Sequence, residues 1–326
     1  MITVFGAGAI GLTLAARLAR GGHAVRLCAR RSDDAALLAR EGIHVEEPET
    51  GAAWHAVVQA HAGAPISETD PVFACVRSPQ ADAAAAAIAA TSPGAPIVNV
   101  QNGVDGDARF AARFASVIGA VIRQGCTRVT ANRVRAMQGG RIAVGRFPEG
   151  ADAGVEAVAA LLRSAGYDVG VSSRIAEDRW LKLCVNLMST PNALVRPSEH
   201  ETRAFTAGKV RLLEEARDVL RAAGIAARSC DGRDRSLEQE IEQQRTALAR
   251  GGGARRIPIY NSLWQALRLG APIEADAYHA TLIELGRRHG VATPTNERAL
   301  AAVLRVVAES LGPEGLGAEE VLGAAS

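Results

Sequence analysis

The chain begins with a short apolar run, Ile2-Thr3-Val4-Phe5, that passes directly into Gly6-Ala7-Gly8-Ala9-Ile10-Gly11. A helical pattern from Ile10 to Arg20 opens immediately behind it. Strand, glycine turn and helix in that order leave a chain few options. Gly6 permits the tight turn, Gly8 lets the backbone approach a pyrophosphate, and Gly11 lets the helix pack closely on the strand. The helix start then offers free N–H groups and the positive end of its dipole to phosphate. The spacing predicts the first βαβ unit of a dinucleotide-binding sheet, with Gly6, Ala7, Gly8, Ala9, Ile10 and Gly11 against the cofactor.

The pattern repeats downstream. Apolar strand-like runs at Ala24–Cys28, Pro71–Val76, Ile97–Val100 and Val117–Val121 alternate with helical segments at Asp34–Glu41 and Ala81–Ala90. Such alternation predicts a parallel, doubly wound α/β sheet of the Rossmann type. Residues 127–144 read as antiparallel strands added at one edge. Beyond them the pattern becomes helical: Ile175–Ser189, Ala204–Ala223, Ser236–Ala249, Asp276–His289 and Asn296–Leu311. A Gly-rich stretch, Gly251 to Arg256, reads as a loop between helices. The expected organisation is an α/β domain at 1–173 and an all-α domain at 174–326. The Gly- and Ala-rich tail, 312–326, is expected to fray.

The end of the second strand bears on which cofactor binds. An NAD site places an acid about 20 residues on from the glycines, to hold the ribose 2′-hydroxyl. Here the sequence is Ala29-Arg30-Arg31-Ser32. Arginines there would pair with a 2′-phosphate, which favours NADP(H). Asp33 and Asp34 follow, so the choice between the two cofactors stays open at this level.

Composition narrows the alternatives. With 37 basic and 35 acidic side chains the net charge is only +2, so no electrostatic footprint for nucleic acid or an anionic membrane is expected. Five cysteines without CxxC spacing argue against a disulfide framework or a zinc site, and fit the cytoplasm. No signal peptide or membrane span is expected, and no metal.

A second chemical feature lies in Trp180-Leu181-Lys182-Leu183-Cys184-Val185-Asn186. Lys182 and Asn186 are four apart and share one helix face. A lysine beside an amide suits protonation of an oxygen that gains negative charge when hydride reaches a carbonyl. The same spacing also describes a surface lysine with an incidental neighbour.

Taken together, these motifs resemble the ketopantoate reductase (2-dehydropantoate 2-reductase) family from Ile2 to about Leu311. The likeness rests on the glycine loop, Gln101-Asn102-Gly103, the Trp180–Asn186 helix, Ser262-Leu263-Trp264-Gln265, Pro272-Ile273-Glu274-Ala275-Asp276, and the His289–Asn296 segment. It implies NADPH-dependent reduction of a 2-oxo acid, ketopantoate above all, to a 2-hydroxy acid. It also implies a helical C-terminal domain of the 6-phosphogluconate dehydrogenase C-terminal type, which often forms homodimers. Matched residue by residue, Lys182 takes the place of the general acid and Asn102 orients it. Glu274 lies near cofactor and substrate hydroxyl. Asn186, Thr190 and Ser262 match substrate contacts, while Arg30 reads the 2′-phosphate and Arg77 and Gly125 join the cofactor set.

Several positions depart from the family pattern. Arg77 stands where a lysine is common, Thr190 and His279 where asparagines are, and Ile259 where some members carry an amide. Loss of amide donors shifts which polar groups of a substrate are read. A member acting on another 2-oxo acid or ketone, and a non-catalytic NADP-binding sensor, are the alternatives to ketopantoate reduction.

Overall fold

A computed structural model describes residues 1–64, 67, 70–250, 261–271 and 273–324. The Gly251–Arg256 loop, Ile259 and Pro272 lie outside the described residues. The chain divides into two compact units, Met1–Arg179 and Trp180–Ser326. The divide falls inside a helix, whereas the sequence pattern suggests 173/174, just before it.

Unit one holds strands β1 (Ile2–Phe5), β2 (Val25–Ala29), β3 (Ile43–Glu47), β4 (Ala52–Ala56), β5 (Gln59–Ala62), β6 (Val72–Ala74), β7 (Ile97–Asn99), β8 (Val117–Arg123), β9 (Cys126–Arg128), β10 (Arg133–Ala136), β11 (Arg141–Arg146) and β12 (Asp168–Val171). Helices α1 (Ala9–Arg20), α2 (Ser32–Glu41), α3 (Ala81–Thr91), α4 (Gly106–Ala111) and α5 (Ala153–Ser164) run between them. The main sheet has the order β12-β11-β8-β7-β6-β1-β2-β5. From β8 through β5 all neighbours are parallel. Apart from the edge strand β5, which is mostly exposed, these strands are buried almost continuously, as a sheet covered on both faces requires.

The expected antiparallel edge forms only in part. β11 does pair antiparallel with β8, and β12 joins beyond it. β9 and β10 instead leave the main sheet and build a second one, ordered β4-β3-β10-β9. The reason lies in β10, where exposed Arg133 and Arg135 alternate with buried Val134 and Ala136. One apolar face suits a sheet that covers something, and this one covers α1. Sheets on two sides explain why α1 is buried without a break from Gly11 to Leu18. At its margins Arg17 lies over the Tyr167 ring and Arg20 over Trp54, capping the apolar layer with guanidinium planes.

Unit two is helical. It contains the C-terminal part of α6 (Ile175–Leu187), then α7 (Ser189–Leu194), α8 (Arg203–Ala222), α9 (Leu237–Ala249), α10 (Ser262–Arg268), α11 (Ala275–His289), α12 (Pro294–Ala308) and α13 (Ala318–Leu322). α8 is its axis, packed by α9, α11, α12 and α13. The helix ends follow local rules. Thr202, Ser236 and Asn261 accept backbone N–H bonds as N-caps, and Gly290 ends α11 at φ +69°.

The tail does not fray. The Leu316 N–H donates to Leu194 O (3.0 Å), and the Arg196 N–H donates to Leu316 O (2.9 Å). Val321 and Leu322 are buried, and Gly208 on α8 leaves the space Leu322 fills: a Cβ there would stand 2.4 Å from the Leu322 Cβ. Glycine and alanine serve here as close-packing residues. Leu322→Ala is expected to cost about 2–5 kcal/mol, read as a lower urea midpoint; a frayed tail would show no change.

Candidate functional site

The glycine loop lies between β1 and β6, where the sheet order reverses from β2 on one side to β6 on the other. Ligands of open α/β sheets bind outside the strand ends at such a point. Gly6 sits at φ +113°, and a Cβ on it would stand 2.8 Å from the Cys75 carbonyl oxygen. A Cβ at Gly11 would lie 1.8 Å from the Gly6 carbonyl oxygen, so no other residue fits. Gly8 is the N-cap of α1 without a side-chain cap, and the first turn of α1 carries no acid. Beyond Gly8 the space is open, its would-be Cβ meeting nothing nearer than 4.0 Å. The loop therefore fits a pyrophosphate, with its N–H donors uncovered. Ala7 is buried, and Ala9 and Ile10 pack against the core beneath. Burial pushes the Cys28 and Cys75 thiols up to about 12, so both stay protonated and act as packing.

The other expected cofactor residues of unit one follow the ends of neighbouring parallel strands. Arg30 comes directly after β2 and is exposed. Arg77 follows β6 and Asn102 follows β7. Their loops are tied: Ser78 Oγ donates to Asn102 O (3.1 Å) and Gln101 Nε2 donates to Arg77 O (3.2 Å). Gly125 follows β8 and its carbonyl accepts the Met137 N–H at 2.8 Å.

A buried ion pair anchors the Asn102 loop. Arg179, on α6, forms a buried fork with Asp107, with Nη2 to Oδ1 at 2.7 Å and Nε on Oδ2. It also donates to the carbonyls of Gln101 (2.7 Å) and Asn99 (3.0 Å). Asn99 completes the cluster, donating to Asp107 Oδ1 and accepting the Gln101 N–H. Arg179 and Asp107 are 3% and 1% exposed, so neither charge has water as an alternative partner. Residues 99 and 101, just before Asn102, are thereby fixed to the first turns of α6. No spacing rule pairs positions 107 and 179, which is why the pair is invisible in the sequence. Arg179→Met strands a buried carboxylate and two carbonyls, so it is expected to cost about 3–5 kcal/mol, measured by chemical unfolding.

In unit two, Lys182 and Asn186 lie one turn apart on α6, both half-buried among buried Leu183, Cys184 and Leu187. Ser189, which follows α6, donates its hydroxyl to Asn186 O. The Ser189 carbonyl in turn accepts Asn261 Nδ2 at 2.8 Å, and Asn261 caps α10 through the Trp264 N–H. This brings exposed Ser262, the first residue of α10, beside the end of the Asn186 helix. An Asn ahead of an apolar helical run, as Asn261 is, is the ordinary sequence signal of an N-cap. Glu274 is the N-cap residue of α11, half-buried, with the Tyr278 hydroxyl donating to it at 3.3 Å.

Thr190 and His279 are placed differently from the other substrate candidates. Both are 0% exposed. Asn296 Nδ2 donates to Glu215 and to Leu212 O, which leaves its oxygen to accept the His279 Nδ1 proton at 2.9 Å. His279 Nε2 is then the acceptor for the Thr190 hydroxyl, also at 2.9 Å. The two residues form one closed chain inside the helical unit, and the Thr190 hydroxyl already has its partner.

Burial pushes His279 down to about 4, against the upward pull of its Asn296 bond. An unfolded chain holds histidine near 6.5, so below that the unfolded state binds the extra proton. Stability is full above pH 6.5 and falls as pH drops toward 4, by roughly 3 kcal/mol in all. Urea titrations across that range should show the slope in the wild type and a flatter one in His279→Gln.

A parallel α/β sheet with an uncapped glycine cradle defines a dinucleotide-binding unit, and comparisons with known proteins make the chain an oxidoreductase acting on CH–OH groups. The family model described as "Ketopantoate reductase PanE/ApbA" matches residues 2–149, and its C-terminal counterpart matches 174–307. The chain belongs to the ketopantoate reductase family. It is 27% identical over 308 residues to the 2-dehydropantoate 2-reductase of Halobacterium salinarum, spanning 94% of this chain and 98% of that protein. The Caulobacter vibrioides protein of the same name is 28% identical over 305 residues, spanning 92% and 97%. Among solved structures, a PanE/ApbA family ketopantoate reductase from Ralstonia eutropha superposes with a TM-score of 0.73 at 21% identity, covering 95% of this chain and all of that one. A D-mandelate dehydrogenase in complex with NADH gives 0.77 at 16% identity, covering 94% and 99%. At those identities the two structures share the fold. Among the described residues no helix is long and apolar enough to cross a membrane, and no His, Cys, Asp and Glu cluster could hold a metal.

Proposed function

We propose that this chain reduces a 2-oxo acid to the 2-hydroxy acid with NADPH, its substrate being 2-dehydropantoate (ketopantoate), converted to pantoate for pantothenate biosynthesis in the cytoplasm. The observation that carries this reading is the lysine at 182. Only two of the 37 basic side chains are lysines. The other, Lys209, is buried over the Phe205 ring. An arginine keeps its proton at any working pH, whereas a lysine can give one up. A chain that uses arginine almost everywhere therefore carries a lysine where a proton must be donated.

Each residue has a role in this reading. Gly6 to Gly11 hold the pyrophosphate, Arg30 the 2′-phosphate, and Arg77, Asn102 and Gly125 line the cofactor side. When bound, the cofactor supplies hydride to the carbonyl carbon. Lys182 Nζ gives its proton to the carbonyl oxygen as negative charge develops there. Asn186 and Ser262 hold the polar groups of the acid, and Glu274 completes the site as a hydrogen-bond acceptor. Thr190 shapes the wall from behind, because His279 occupies its hydroxyl. That occupied hydroxyl also favours a second reading, a 2-oxo acid with fewer hydroxyl groups than ketopantoate. A homodimer through the helical unit fits exposed Leu304, Val307 and Leu311 on and just beyond α12.

Loss of NADPH absorbance with ketopantoate and a panel of 2-oxo acids tests the proposal. Turnover on ketopantoate is expected; turnover only on other acids selects the second reading, and none at all points to a cofactor sensor. Lys182→Ala is expected to lower kcat by about 10²–10⁴ while cofactor binding persists, and Lys182→Arg should not restore it.

A further inference from the structure

Two acids, Asp33 and Asp34, follow the two arginines at the end of β2, and an acid in this region is what an NAD site uses. The structure treats the two acids differently. Asp33 is 85% exposed, and its 3.8 Å contact with Arg31 lies in water, where such a pair contributes little. Asp34 is 21% exposed and accepts Arg128 Nη2 at 2.9 Å. Arg128 ends β9 in the second sheet, 94 residues further along the chain. Its Nε donates to the Thr130 carbonyl at 3.0 Å, so the guanidinium is oriented before it meets Asp34. Arg30 is exposed and has no hydrogen bond or ion pair among the described residues.

We propose that Arg128 is a cofactor-specificity residue: it engages Asp34 and so leaves Arg30 and Arg31 to a 2′-phosphate. The inference rests on the NADP(H) reading of Arg30. An unneutralised carboxylate four residues on from that arginine would act twice against NADPH. It would compete for the guanidinium and repel the phosphate, and it would offer an acceptor to the ribose hydroxyl of NADH. Discrimination of this kind depends as much on removing the feature that suits the competitor as on adding one for the ligand. The second sheet, which otherwise serves to cover α1, thereby gains a part in choosing the cofactor.

Direct binding separates the outcomes. NADPH, NADH and adenosine 2′,5′-bisphosphate are titrated calorimetrically into wild type, Arg128→Gln and the Asp34→Asn/Arg128→Gln double variant. The wild type is expected to bind NADPH more tightly than NADH. Arg128→Gln should weaken NADPH and the bisphosphate about tenfold with NADH unchanged or tighter, and the double variant should recover most of the loss. Higher salt should shrink the difference, because the groups touch solvent. If Arg128→Gln weakens all three ligands alike, leaves the preference unaltered, or is not rescued by Asp34→Asn, Arg128 has no such role. If the wild type itself does not prefer NADPH, the NADP(H) reading fails and this inference with it.

Discussion

The close approach of α1 to β1 is the constraint on which the nucleotide-binding unit depends. The Gly6 carbonyl lies where the Cβ of any other residue at position 11 would be. That contact sets the angle at which α1 leaves the sheet, and the angle aims the uncapped N–H groups of its first turn at the phosphate position. The second sheet follows from it. A helix buried without a break from Gly11 to Leu18 needs a cover on its outer side that the main sheet cannot provide. β3, β4, β9 and β10 supply that cover, and in doing so they deliver Arg128 to Asp34.

A second constraint acts at the start of α6. Arg179 and Asp107 are isolated from water, and both oxygens of Asp107 accept hydrogen bonds from within the cluster. A buried ion pair contributes little net stability when it is complete and costs much when half is removed. Its value here is positional. The fork engages the carbonyls that precede Asn102 and ties them to the start of α6.

The helical unit shows a different use of buried polarity. Thr190, His279, Asn296 and Glu215 link α7, α11, α12 and α8 through hydrogen bonds with defined donors and acceptors. A neutral imidazole suits the centre of that chain because it donates on one side and accepts on the other. Thr190 looks from its spacing like the next polar rung after Lys182 and Asn186. The helix ends at Leu187, however, and the break before α7 turns position 190 inward. Spacing arguments hold only while the helix continues.

Much of this protein was legible in its sequence because the signals are local. The glycine loop and the βα alternation act over short stretches of chain. So does the spacing that puts Lys182 and Asn186 on one helix face. The structure decided what depends on residues distant in the chain. The strands from 126 to 136 read as an addition to the edge of the main sheet but join a second sheet, because an apolar alternation does not say what it covers. The tail from 312 reads as loose from composition, yet Gly208 on α8 makes room for Leu322. Asp34 reads as an acid open to a ribose until Arg128 is seen beside it. Local backbone preference and periodicity are written along the chain; burial and charge pairing are properties of neighbours, and only the tertiary structure supplies those.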